Sequence, residues 1–98
     1  NKRETAQRYA EWGRKNGVQF IHEMPETHSN YWLNAMVVKD KAEREEFLAY
    51  SNANGVQTRP IWVLMNKLPM YKDSFAGPLE NSLWLEDRIV NVPSSVRV

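Results

Sequence analysis

The sequence predicts an α+β domain in which helices pack on one face of a small, mainly antiparallel sheet. Helix-like and strand-like segments alternate in the order α, β, α, β, α, β, which is typical of a helical layer packed against a sheet. The 98 residues, 42% of them hydrophobic and 26% charged, have the length and composition of one globular domain. We therefore expect a single domain over residues 1–98.

The first helix is expected over residues 3–16. Small and apolar residues recur there at the three- and four-residue spacing of one helical face: Ala6, Tyr9, Ala10 and Gly13. Gly17 is suited to end this helix, because glycine readily adopts the left-handed conformation found at helix C-termini. Residues 18–21 then read as a short extended run before a polar loop.

The next strand is expected within residues 30–38, followed by a helix over residues 41–54. In the strand, Asn34 interrupts the even-numbered positions, whereas the odd-numbered positions are all apolar: Tyr31, Leu33, Ala35 and Val37. This alternation predicts that the odd-numbered side chains face the core. Asp40 followed by Glu43 is a capping pair for the helix, and Gly55 follows its end.

The last third of the chain predicts a strand, a loop, a helix and a closing strand. Residues 56–63 are strand-like, and Pro60 marks an edge or a bulge because proline donates no ladder hydrogen bond. Residues 66–77 read as loop. A third helix is expected over residues 78–88, with Pro78 as its first residue and with Leu79 and Leu83 one turn apart.

Composition excludes several classes of function. The net charge of +1 leaves no basic stripe of the kind that nucleic-acid or membrane-surface binding requires. The sequence has no cysteine and no apolar run near the roughly 20 residues of a membrane span. His22 and His28 flank a loop without the further ligands that a metal site needs, so we expect surface histidines and no metal.

The segment TRPIW, residues 58–62, is the most informative local pattern. Arg59 has two interpretations: a structural ion pair with a carboxylate of a neighbouring helix, or a fork of donors for an anionic ligand. Pro60 restricts Arg59 to extended backbone, which suits a side chain aimed out of a sheet edge. Trp62 is ambiguous, whereas core packing is expected for the other three tryptophans, Trp12, Trp32 and Trp84.

The tract GVQTRPIWVLMNKLPMY resembles the C-terminal region of DegT/DnrJ-type sugar aminotransferases, which are pyridoxal-phosphate enzymes of aminotransferase fold type I. Members often show a glycine, an aliphatic residue, a threonine, an aromatic position, a later histidine and Pro-x-Tyr. The corresponding positions here are Gly55, Val56, Thr58, Trp62, Asn66, Pro69 and Tyr71. The resemblance extends over all 98 residues and is greatest to a legionaminic-acid and perosamine-like branch.

The resemblance implies that the chain is the small C-terminal domain of such an enzyme. The enzyme would move an amino group, with glutamate as the expected donor, to a nucleotide-linked 4-keto sugar in bacterial surface-polysaccharide biosynthesis. The chain starts directly in helix-like sequence without Met, so we expect the large domain with the cofactor lysine to be absent from it. The isolated 98 residues are expected to be inactive and to hold no pyridoxal phosphate. The intact enzyme is expected to be cytoplasmic and homodimeric, with no nucleic-acid or membrane partner.

The resemblance also assigns substrate-binding roles but no catalytic residue. Arg59, Trp62 and Asn66 are expected to bind substrate, and Arg59 and Trp62 are expected to face the cleft between the two domains. Many members carry histidines where this chain has Ile61 and Asn66, so the contacts of those histidines do not transfer; Asn66 can still hydrogen-bond a sugar hydroxyl. The alternative is a non-enzymatic α+β module whose Arg59–Trp62 surface recognises a partner protein.

Overall fold

In the computed structural model, which describes residues 1–96, three α-helices pack against a four-stranded antiparallel sheet. The helices are α1 (Lys2–Asn16), α2 (Lys41–Ala53) and α3 (Glu80–Arg88). The strands are β1 (Gln19–Phe20), β2 (Asn34–Val37), β3 (Arg59–Pro60) and β4 (Ile89–Val92), arranged in the order β1-β2-β4-β3. The predicted α+β class is confirmed; the observed order differs from the predicted one in having two strands, β1 and β2, between α1 and α2.

The core is a row of side chains that crosses the sheet. Phe20 lies opposite Met36, and Met36 lies opposite Val90, which is fully buried. Tyr9 of α1 and Phe47 of α2 pack against this row, so both helices cover the same face of the sheet. Burial of each of these large side chains contributes about 1.5–3 kcal/mol, which makes this face the main source of stability.

The predicted inner face of α1 is confirmed at Ala6 and Gly13, which are both buried. Gly13 is where α1 approaches β1 most closely: a Cβ atom there would lie 2.5 Å from the carbonyl oxygen of Val18 and 2.8 Å from the ring of Phe20. Only glycine fits this contact. Gly17 ends the helix with φ 70°, as expected.

The prediction for the buried face of β2 is wrong. Asn34 and Met36 are buried, whereas Ala35 and Val37 are only partly covered. Met36 fills the space between the neighbouring strands, and Asn34 is accommodated because Ser94 Oγ accepts hydrogen bonds from its backbone N at 2.7 Å and its Nδ2 at 3.3 Å. A buried amide with its own partner thus occupies a core position.

The boundaries of the other two helices follow their capping residues. Asp40 Oδ1 accepts from Glu43 N at 2.8 Å, which confirms the predicted start of α2. The third helix starts at Glu80 and not at Pro78, because Leu79 has a non-helical backbone (φ −123°, ψ 38°). The segment predicted as loop contains two short 3-10 turns, Met65–Lys67 and Pro69–Tyr71.

The expectation that three tryptophans pack in the core is also wrong. Trp12, Trp32 and Trp84 are 53%, 66% and 49% exposed. Among the described residues, the core on the sheet consists of one phenylalanine, one methionine and two valines, and it contains no indole. Within residues 1–96, no helix is long and apolar enough to cross a membrane.

Candidate functional site

The candidate site begins at β3, which lies at the edge of the sheet as Pro60 predicted. Arg59 is paired with Asn91 and Pro60 with Val90, both on β4, and no strand among residues 1–96 pairs with the other side of β3. Opposed residues in an antiparallel pair point to the same face. Arg59 therefore shares its face with Asn91 and Ala35, on the side of the sheet that α1 and α2 leave uncovered.

The Arg59 guanidinium is exposed and has no acidic partner among the residues that the structure describes. Its hydrogen bond within the described residues runs from Nη1 to the carbonyl oxygen of Thr58 at 3.4 Å. The expected alternative, an ion pair with a carboxylate of a neighbouring helix, is not present within residues 1–96. A fixed positive charge with free donors can therefore receive a carboxylate or phosphate.

The backbone next to Arg59 is anchored to α2. Thr58 is 2% exposed, and its hydroxyl lies 2.6 Å from the hydroxyl of Ser51. Asn52 Nδ2 donates to the Thr58 carbonyl at 3.2 Å. These contacts fix the start of β3, so the exposed Arg59 side chain extends from a rigid backbone.

Trp62 is 65% exposed and stacks on Trp32, with ring centroids 6.4 Å apart and planes inclined by 28°. Trp32 is held by its own loop and by α1: its backbone N donates to Asn30 Oδ1 at 3.0 Å, and its carbonyl accepts from Lys2 Nζ at 3.2 Å. Sequence reasoning missed the role of Trp32, since no local pattern links residues thirty positions apart. The pair forms an exposed apolar surface after β3.

Asn66 lies on the wall of a cavity of about 400 Å³ in the segment after β3. Its Oδ1 is buried and accepts no hydrogen bond from the described residues. Tyr71, the tyrosine of the Pro-x-Tyr motif, lines the same cavity, whereas Arg59 and Trp62 do not. The other lining residues are mostly apolar, with two hydroxyls: Leu64, Met65, Ser74, Phe75, Ala76, Leu79 and Ser82.

Glu86 on α3 holds the turn that carries Asn66, and sequence analysis did not identify it. Glu86 as a whole residue is 8% exposed; its carboxylate accepts from Leu64 N at 2.7 Å and forms an ion pair with Lys67 Nζ. The hydrogen bond from Lys67, and then that from Leu64, hold the pKa of Glu86 below its usual value. Glu86 continues the helical spacing of Leu79 and Leu83, but Leu83 is 43% exposed, so this spacing does not mark a buried face of α3.

The family model of the DegT/DnrJ/EryC1/StrS aminotransferase family matches residues 1–98. The chain belongs to this family. A search of curated proteins gives no match. Membership of the DegT/DnrJ/EryC1/StrS family supports a pyridoxal-phosphate-dependent aminotransferase.

The motif positions of this DegT/DnrJ/EryC1/StrS chain serve different structural purposes. Thr58 anchors the edge strand, Trp62 forms an exposed stack, and Asn66 and Tyr71 meet at one cavity. The structure thus brings two of the motif residues together and leaves Arg59 and Trp62 on other surfaces.

The described residues do not fit the cofactor itself. Lys67 is engaged with Glu86, and Lys72 is exposed on the loop after the second 3-10 turn, so neither amine lies in an enclosed site. His22 and His28 are exposed, as expected, and no group of three or more metal-binding side chains occurs within residues 1–96. What the described residues present instead is an exposed guanidinium, an exposed indole stack and a cavity with a buried amide oxygen.

Proposed function

We propose that this chain is the C-terminal small domain of a pyridoxal-phosphate-dependent enzyme that transfers an amino group from glutamate to a nucleotide-linked 4-keto sugar. The reaction would belong to bacterial surface-polysaccharide biosynthesis in the cytoplasm, in the legionaminic-acid and perosamine-like branch. Family membership over residues 1–98 supports the aminotransferase part. The resemblance of residues 55–71 to that branch supports the sugar substrate.

The observation that carries the proposal is the unpaired, exposed Arg59 on an anchored edge strand. Its planar fork would hold a carboxylate of the amino donor or a phosphate of the sugar nucleotide. Trp62 would provide an apolar wall, and the Asn66 amide would hydrogen-bond a sugar hydroxyl. Each group binds or orients a reactant.

The cofactor and its lysine would belong to a large domain of the same polypeptide. When bound, pyridoxal phosphate supplies the carbanion chemistry. The proposed intact enzyme is a homodimer, and the 98-residue chain by itself is expected to be inactive. The coding region before Asn1 tests this assignment: a large α/β domain with a cofactor lysine supports it, and its absence contradicts it.

Substitution of Arg59 tests the binding role. Loss of charge-assisted hydrogen bonds worth about 1.5–3 kcal/mol corresponds to roughly a 10- to 150-fold loss in kcat/KM. For Arg59→Ala in the complete polypeptide we expect this loss as a raised KM for the anionic substrate, with little change in Tm. Arg8→Ala, which removes an exposed arginine from the middle of α1, is the control. A lowered Tm with unchanged KM would indicate a structural role for Arg59.

The second candidate function is a non-enzymatic protein-interaction module, and the exposed Trp32–Trp62 stack favours it. Such a module needs neither a cofactor lysine nor a large domain. Addition of pyridoxal phosphate to the complete polypeptide separates the two functions: cofactor absorbance that glutamate bleaches supports the transaminase, and an unchanged spectrum supports the module.

A further inference from the structure

We infer that Glu86 is a positioning residue for the substrate-binding site: its carboxylate holds the Leu64–Lys67 turn and thereby sets the place of the Asn66 side chain. The inference rests on the proposed function, because it assigns how that site is kept in shape. Glu86 reaches both ends of the turn, through Leu64 N at 2.7 Å and through Lys67 Nζ. Asn66 lies between these two contacts.

The other hydrogen bonds of the turn are local: Lys67 N donates to the Leu64 carbonyl at 3.0 Å, and Leu68 N donates to the Met65 carbonyl at 3.1 Å. Residues 65–67 form a single 3-10 turn, a conformation with poorer hydrogen-bond geometry than an α-helix. Met65 is 65% exposed, and β3, which precedes the turn, has only two residues. A segment of this kind adopts several conformations unless a contact from another element selects one.

The buried side chain of Asn66 adds a free-energy cost to the observed conformation of the turn. A buried acceptor without a hydrogen bond destabilises a structure, since it loses water and gains no partner. Asn66 Oδ1 is such an acceptor among the described residues. The turn therefore keeps Asn66 in place against a local free-energy penalty, and the contacts with Glu86 tie the turn to another element against that penalty.

Glu86 is itself fixed. It lies on α3, and its backbone carbonyl accepts a hydrogen bond of 2.6 Å from Arg44 Nη1 of α2. Lys67 and Arg44 are the charged groups that face it, and both favour the ionised carboxylate. An ionised carboxylate accepts on both oxygens, whereas a glutamine accepts on one and donates on the other side. Glu86→Gln therefore removes one of the two contacts with almost no change in shape.

The first experiment is a double-mutant cycle in the complete polypeptide with Glu86→Gln and Asn66→Ala. We expect Glu86→Gln to lower kcat/KM for the sugar nucleotide by about tenfold, and to have no further effect when Asn66→Ala is present. The KM for glutamate should stay unchanged. Asp87→Asn, the neighbouring residue of α3, removes the same charge and serves as the control.

If Glu86→Gln lowers kcat/KM by the same factor in the wild-type and the Asn66→Ala background, the inference is overturned, because Glu86 then acts independently of Asn66. That result would leave the proposed transamination intact. If the wild-type polypeptide shows no transamination, the proposed function fails, and the role of Glu86 is decided by the second experiment.

The second experiment uses the 98-residue chain and needs no substrate. We expect the side-chain amide signals of Asn66 in nuclear magnetic resonance spectra to shift in Glu86→Gln and to stay in place in Asp87→Asn. The remaining spectrum reports whether each variant is folded. Unchanged Asn66 signals in folded Glu86→Gln would overturn the inference whatever the activity.

Discussion

Two carboxylates, Glu23 and Glu86, hold two loops of this molecule through similar contacts but in different surroundings. Glu23 accepts from the Arg3 guanidinium at 2.8 and 3.0 Å and from Ser29 N at 2.8 Å. Glu86 accepts from Leu64 N at 2.7 Å and is paired with Lys67. The Glu23 side chain is 26% exposed, and that of Glu86 is 10% exposed.

From the difference in exposure we expect burial, more than the number of hydrogen bonds, to set how much each carboxylate contributes to stability. If Glu23 is removed, water can reach the groups that it leaves, because Arg3 is 40% exposed. If Glu86 is removed, the partly buried Leu64 N–H loses its hydrogen-bond acceptor. We call each carboxylate with its hydrogen-bond donors a clamp. The Glu23 clamp fixes the loop before Trp32, and the Glu86 clamp fixes the turn that carries Asn66.

The largest effect on thermal stability is expected when the carboxylate of Glu86 or of Glu23 is removed by substitution. Glu86→Ala should lower the free energy of unfolding by about 2 kcal/mol, the cost of losing a charged hydrogen-bond acceptor at a buried position. For a domain of this size that is a fall in Tm of roughly 8–16 °C. Glu23→Ala should lower Tm by less, and thermal unfolding at pH 7 measures both. A larger fall for Glu23→Ala would reverse the conclusion drawn from burial.

The next prediction concerns how the contribution of Glu23 to stability depends on pH. The hydrogen bond from Arg3, and then that from Ser29, lower the pKa of Glu23 from 4.5 to about 2. A lowered folded-state pKa stabilises the protein above pH 4.5, and this contribution is lost as the pH falls from 4.5 to about 2. The Tm difference between wild type and Glu23→Gln should therefore shrink across that interval.

Glu86 provides the internal comparison for this measurement. Its pKa is also lowered, by the hydrogen bonds from Lys67 and Leu64, so its contribution likewise weakens in acid. Glu23→Gln should thus still lose stability as the pH falls, but less steeply than wild type. Parallel curves for the two proteins would show that Glu23 is not stabilised in the folded state.

Local signals in the sequence predicted the elements and their ends. The Asp40–Glu43 pair marks the start of α2, Gly17 the end of α1, and Pro60 the edge strand, because each acts on its own backbone. Arg59 was identified in the same way, from its position beside Pro60. Its exposure and its lack of an acidic partner within residues 1–96 needed the structure.

Contacts between distant residues account for what the sequence did not predict. Asn34 is buried because Ser94, sixty residues later, accepts its hydrogen bonds. Trp32, which was expected in the core, stacks on Trp62, thirty residues later. Glu86 was not identified from the sequence, because nothing near it shows that Leu64 N reaches its carboxylate. Each of these depends on how the chain folds back on itself.

The smallest effect concerns the geometry of the Glu23 clamp alone. Arg3→Lys keeps the positive charge but loses the planar fork that bonds both oxygens of Glu23 and also donates to the Ser29 carbonyl at 2.8 Å. Hydrogen exchange of the Ser29 amide should become faster, because that N–H is bonded to Glu23, while exchange at Leu64 should stay unchanged. Faster exchange at both amides would mean that the two clamps are coupled, and that Glu86 does not hold the Asn66 turn independently of the loop before Trp32.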